Sequence, residues 1–153
     1  MICWGDSDRV MGGLRTLNRT MAKLEGNWRR KSLENLEKAY WGEPTFDSYL
    51  VTRMHAIRKL PLAELTNDDI AMMIRQQASL DYLVPLAIDK LQIDILAYGD
   101  SSCEGAIMDA VVKIPADFWK ANRDHWNTIR DLLEENITVW TFDRRKFDAA
   151  ILA

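Results

Sequence analysis

Apolar residues recur along this chain at spacings of three and four, in runs broken by short polar, glycine or proline stretches. That period is helical, because positions three and four apart share one face. Leu33, Leu36 and Tyr40 define a first stripe, with Ser32 placed to cap it and Glu34 in the first turn, where the helix dipole favours an acid. Gly42 and Pro44 are expected to end that helix. A second helix is predicted from near Ser48 to Lys59, burying Leu50, Val51, Met54 and Ile57, with Arg58 and Lys59 suited to its C-terminal end and Pro61 barring continuation. Thr66-Asn67-Asp68-Asp69 carries a hydroxyl and, three residues later, a carboxylate, which is the capping-box signature of a helix start. The helix after it presents Ile70, Met73 and Ile74, with Gln77 on the same side. Leu80, Leu83, Leu86, Ala87, Ile88 and Leu91 follow in a run that is apolar nearly all round, which marks a central helix. Pro85 inside it requires either a kink or a restart of the helix.

Tyr98-Gly99-Asp100-Ser101-Ser102 reads as a loop. Ala106 to Val112 reads as a short helix, with a strand as the alternative, and Pro115 to Trp119 begins another short helical piece. From Asn122 a longer helix carries Trp126, Ile129, Leu133 and Ile137. The tail holds Trp140, Phe142, Phe147 and Ile151, and fits either a short strand at 139–142 or a last helix from about Asp143. Sustained alternation is found nowhere else. The pattern predicts an all-α fold, a single compact bundle of about six helices with short connections, over residues 31–153. Leu33, Trp41, Leu50, Ile70 and Leu86 are assigned to its core, and Trp119, Trp126 and Trp140 to core or rim. Residues 1–30, punctuated by Gly5, Gly12, Gly13 and Gly26, are expected to form a flexible N-terminal extension, with Trp28 beginning the packed part.

The chain has 153 residues, 48% hydrophobic and 28% charged, which is one globular domain and not a disordered chain. No apolar run approaches the roughly 18 residues of a membrane span. Met1 to Asp8 holds two acids and no apolar block, so a secretory signal is not expected there. The two cysteines, Cys3 and Cys103, are too few for a disulfide framework, and a cytoplasmic location is expected. The net charge of −3 hides an asymmetry. Residues 1–65 carry 11 basic and 8 acidic side chains, and residues 66–153 carry 9 and 15. Asp89, Asp94, Asp100, Glu104 and Asp109 crowd one stretch, interrupted only by Lys90. Such a stretch repels phosphate backbones and suits either a basic protein partner or plain solvation.

Catalytic chemistry is hard to place. The two histidines, His55 and His125, have no second ligand at metal spacing. Asp100 to Gly105 begins like a calcium loop, but the twelfth position is Val111, which cannot ligate. Phosphate-binding glycine loops and nucleophile elbows are absent from the sequence. Cys103 reads as a small buried thiol, Asp68 and Asp69 as helix-start acids, and Glu134 and Glu135 as a solvated face. No catalytic residue, cofactor or metal is therefore expected. Two rival readings remain open: a helical DNA-binding or adaptor regulator that inserts the helix after Thr66, and a small hydrolase that brings Cys103 and His125 together beside Asp100.

Longer stretches carry a resemblance. Lys31-Ser32-Leu33-Glu34-Asn35-Leu36-Glu37, Tyr40-Trp41-Gly42-Glu43-Pro44 and Ser48-Tyr49-Leu50-Val51 come first. Leu60 to Ile70, Ile74-Arg75-Gln76-Gln77, Leu83-Val84-Pro85-Leu86-Ala87 and Phe118-Trp119 follow in order. Over roughly residues 31–135 the chain resembles the immunity proteins of bacterial contact-dependent growth inhibition (CDI) systems, the CdiI type. The resemblance implies a cytoplasmic, non-enzymatic protein that binds the C-terminal toxin domain of a cognate delivery protein. Toxins of this kind are often nucleases with basic surfaces, and neither a nucleic acid nor a membrane is implied as a partner. On that footing Asp94, Asp100, Glu104 and Asp109 are expected to meet toxin lysines or arginines, with Tyr98 as the apolar anchor.

Overall fold

Three helices begin where a hydroxyl side chain takes up an amide that the first turn leaves unpaired. In the computed structural model, which describes residues 24, 26–140 and 143–152, Ser32 accepts from the Asn35 amide at 3.3 Å and opens α1 (Leu33–Glu37). Ser48 accepts from the Val51 amide at 3.2 Å and opens α2 (Tyr49–Lys59). Thr66 accepts from the Asp69 amide at 3.2 Å, and the Asp69 carboxylate returns a bond to the Thr66 amide at 3.1 Å, so the predicted capping box opens α3 (Asn67–Arg75). The remaining helices are α4 (Leu80–Ile93), α5 (Ala106–Val112), α6 (Ala116–Ala121), α7 (Arg123–Glu135) and α8 (Arg145–Ala149).

The fold is all-α as the periodicity predicts, with eight α-helices among the described residues against the expected six or so, and no strand. The short helices α1, α6 and α8, of five or six residues, each fall where the sequence reads as helical, α8 as one of two alternatives, and account for the larger count. α3, α4 and α5 pack on one another, and α7 lies against α4. Six consecutive residues of α4, Leu83 to Ile88, are buried, which makes it the central helix. Pro85 sits inside α4, and the helix begins at Leu80 after Gln77 and Ser79 take left-handed backbones, so the break falls before the proline and not at it. Trp119 meets Phe147 edge-on at 5.3 Å, and Phe147 stacks on Trp126, whose indole N–H donates to the Phe147 carbonyl at 3.0 Å. These contacts dock α6, α7 and α8 together, and the tail from Asp143 is helical.

Leu33, Ile70 and Leu86 are buried, while Trp41 and Leu50 are half-buried against the same core. Trp28 is buried in a single 3-10 turn, Trp28–Arg30, that packs on a second such turn, Leu62–Glu64. Residues 1–23 and 25, to which the expectation of a flexible extension chiefly applies, lie outside the described residues, as do Thr141 and Phe142 of the possible strand. Three outer positions depart from the predicted stripes. α1 ends at Glu37, because Lys38 is left-handed, and Tyr40 is exposed. Gln77 lies beyond the end of α3, and Ile137 beyond the end of α7, and both are exposed.

What lets α1 stop early is Arg58. This α2 side chain is 1% exposed. Its guanidinium donates to Glu37 Oε2 at 2.6 Å, to Ser79 Oγ at 3.3 Å and to the Ala39 carbonyl at 2.8 Å, and lies 4.2 Å from the centre of the Trp41 ring. One buried cation thus ties the end of α1, the chain leading away from it, and the start of α4. Removing one partner of a buried pair costs roughly 3–5 kcal/mol, because the other charge is left uncompensated. Arg58→Met is accordingly expected to lose about 3–5 kcal/mol in denaturant unfolding, and Glu37→Gln in that background to recover part of it. A loss below about 1 kcal/mol, the size of a surface pair, would contradict this role.

Candidate functional site

The loop between α4 and α5, residues 94–105, carries most of the residues singled out in the sequence. Asp94, Tyr98, Asp100 and Glu104 are all exposed on it. Within residues 91–112 there is no lysine or arginine. Short backbone bonds keep the loop close. The Gly105 amide donates to the Leu96 carbonyl at 2.9 Å and the Ile107 amide to the Ala97 carbonyl at 3.4 Å, which fold the two ends together. Asp94 accepts from the Leu96 amide at 2.9 Å, and Ser102 Oγ accepts from the Gly99 amide at 2.9 Å. Ile95 and Ala97 point inward as plugs into the core.

The first turn of α3 anchors the loop from outside. Asn67 donates to the Tyr98 carbonyl at 2.9 Å, and Asp68 accepts from the Ser101 amide at 2.9 Å. Gly99 lies so close to the Asp68 carboxylate that a Cβ there would collide with it. Gly105, at φ +78°, sits against the Trp140 ring, where a Cβ would come within 2.6 Å. Asn67 and Asp68 were legible in the sequence only as helix-start residues. That they also hold a loop some thirty positions away depends on packing that periodicity does not encode.

The turn of α3 that does the anchoring is itself fixed by an ion pair. Arg53 of α2 donates to both oxygens of Asp69, at 2.8 and 2.7 Å. Burial alone would push the Asp69 carboxyl up, but the Arg53 guanidinium and the Thr66 bonds outweigh it and hold the carboxyl below the usual range. The folded protein therefore resists protonating Asp69. Its contribution is complete above the unfolded-state value near ~4 and is lost as pH falls through the lower folded value. Asp69→Asn is expected to cost about 2–4 kcal/mol at neutral pH and to flatten the acid limb of stability below about pH 4. An acid limb as steep as the wild type's would show that other carboxylates govern it.

Asp109 stands apart from the other acids. It lies one turn inside α5, half-buried, and meets Arg75 at 3.2 Å and Lys113 at 3.1 Å. Its charge is already balanced, and its position ties α5 to α3.

A family model for CDI immunity proteins matches residues 35–129, well over half of the chain and the whole of loop 94–105. The chain belongs to the CDI immunity protein family. No curated protein and no solved structure matches it. As a CDI immunity protein it is a non-enzymatic toxin inhibitor, and membership implies binding to a cognate CDI toxin.

The rival readings fare poorly against the immunity protein's geometry. α3 is buried from Asp69 through Ile74 and has no free face for a DNA groove. Cys103 is half-buried, which corrects its reading as a buried thiol. The shallow groove beside His125 is lined by residues 120–125 and excludes Asp100 and Cys103. Burial pushes the His125 imidazole down despite nearby Asp124 and Asp81, as for a packed neutral ring. His55 is held by the Gly42 carbonyl at 3.1 Å, edge-on to Trp41. Among the described residues no group of three or more potential ligands is placed to hold a metal, and no helix is long and apolar enough to cross a membrane.

The close approach at Gly105 yields a direct check on the loop. Gly105→Ala is expected to lose about 1–3 kcal/mol, from the left-handed backbone and the Trp140 contact together. A melting temperature equal to the wild type's would mean that the loop is not held there.

Proposed function

We propose that this CDI immunity protein acts in the cytoplasm by one-to-one binding of its cognate toxin domain, with loop 94–105 as the acidic contact and a basic, nuclease-type toxin as the partner. The observation that carries the reading is the anchored loop, with Asp94, Asp100 and Glu104 exposed, no cation in the surrounding 91–112 stretch, and Tyr98 47% exposed among them. A basic surface shaped to bind phosphates is the natural complement of such a loop, and covering it would keep substrate out. Because its backbone is already tied to α3 and across its own base, the loop loses little conformational freedom on binding. Long-range attraction between the acids and toxin cations raises the encounter rate, and Tyr98 supplies contact area once docked. Asp109 contributes least, since Arg75 and Lys113 already engage it.

The test is co-purification with the toxin domain encoded beside this gene, paired with growth rescue when that toxin is expressed. A stable complex with rescue is expected. A folded protein that neither binds nor rescues would overturn the reading. Reversing two charges, Asp100→Lys with Glu104→Lys, is expected to slow association by roughly tenfold or more at low salt, and less as salt is raised. Association that is unchanged at low salt would remove these two acids from the contact.

A further inference from the structure

Residues 39–49, which run from the chain after α1 into the first residue of α2, hold a concentration of exposed aromatic side chains. Tyr40 is 69% exposed, Phe46 70% and Tyr49 74%. Isolated exposed apolar residues are ordinary, but three large aromatics within ten positions form a concentration that a soluble monomer's surface does not require. The two ends of the segment are fastened to α2. Arg58 binds the Ala39 carbonyl and faces the Trp41 ring, and His55 holds the Gly42 carbonyl and meets Trp41 edge-on. Ser48 then caps α2 directly before Tyr49. Trp41 faces inward to be held, and the aromatics on either side of it are presented to solvent.

The charges of the segment indicate its occupant. Glu43 and Asp47 lie between the aromatics, both exposed, while the exposed Lys38 stands immediately before residues 39–49. Lys59 reaches Glu43 only at 3.6 Å and leaves that carboxylate largely in water. A second copy of this chain would bring the same acids against themselves, which is unfavourable. A basic protein surface gains ion pairs with Glu43 and Asp47 and cation–π contacts with the three rings.

We infer that residues 39–49 form a second toxin contact, in which Tyr40, Phe46 and Tyr49 hold the complex together while loop 94–105 captures the partner. This rests on the immunity reading above. Fully desolvated aromatic anchors govern how long a complex lasts, whereas exposed charges govern how quickly it forms. The two surfaces should therefore separate in kinetics.

The experiment compares binding of the neighbouring-gene toxin domain to the wild-type protein, the triple variant Tyr40→Ser, Phe46→Ser, Tyr49→Ser, and the acid-reversed pair of loop 94–105. All three side chains are exposed, so the triple variant is expected to keep the wild-type melting temperature. It is expected to dissociate at least tenfold faster while associating within about twofold of wild type. Restoring only rings, with Phe at positions 40, 46 and 49, should bring back most of the lifetime. Dissociation equal to the wild type's would overturn the inference and leave the role of loop 94–105 standing. Rapid dissociation of the triple variant together with an unaffected acid-reversed pair would do the opposite, supporting the aromatic contact against the acidic one. A wild-type protein that sediments as a dimer and a triple variant that sediments as a monomer would assign the surface to a second copy and overturn the inference. Failure of the wild type to bind the toxin at all would overturn both readings together.

Discussion

Arg58 occupies a position that water cannot reach, and its positive charge has to be answered by the chain itself. Glu37, Ala39, Ser79 and the Trp41 ring answer it, and they come from three separate segments. Leaving such a charge unpaired is costly, so the partners that answer it hold α1 and α2 in this arrangement. Around it the apolar core of α3, α4 and α5 closes, with the twelve-residue connection 94–105 between α4 and α5. The Arg53–Asp69 pair does the same for the start of α3 at a half-exposed site. Two arginines of one helix thereby set the positions of the two surfaces to which function is assigned.

Rigidity is the property these surfaces share. A toxin inhibitor benefits from contacts that need no reordering, because ordering flexible loops subtracts from affinity. Loop 94–105 is tied by Asn67, Asp68 and its own backbone, and the first part of segment 39–49, residues 39–42, by Arg58 and His55. Both present acids, and each adds aromatic area, one ring in the first and three in the second. Membership of the CDI immunity family implies the partner, and the two segments are the surfaces proposed to engage it.

Much of this was legible before the structure. The hydroxyl caps at Ser32, Ser48 and Thr66, the apolar run of α4 and the limits of α5 follow from local rules, because each depends on residues three or four apart. The acidic bias of loop 94–105 needs only the sequence. Segment 39–49 was hidden by the same rules, since Tyr40 falls in register with Leu33 and Leu36 and so looks like core. The left-handed turn at Lys38 moves it out of register, and what makes that turn tenable is Arg58, twenty positions away. Arg58 itself resembles an ordinary basic residue at a helix end. Its burial, the balancing of Asp109 by Arg75, and the anchoring of Ser101 by Asp68 are long-range facts that no local period contains.

Hydrogen exchange on the complex with the neighbouring-gene toxin domain tests the central claim most directly. The account predicts that adding toxin slows exchange in residues 94–105 and 39–49 together, while the exposed side of α7 exchanges as in the free protein. Protection confined to α7 and α8, with both segments unchanged, would contradict it.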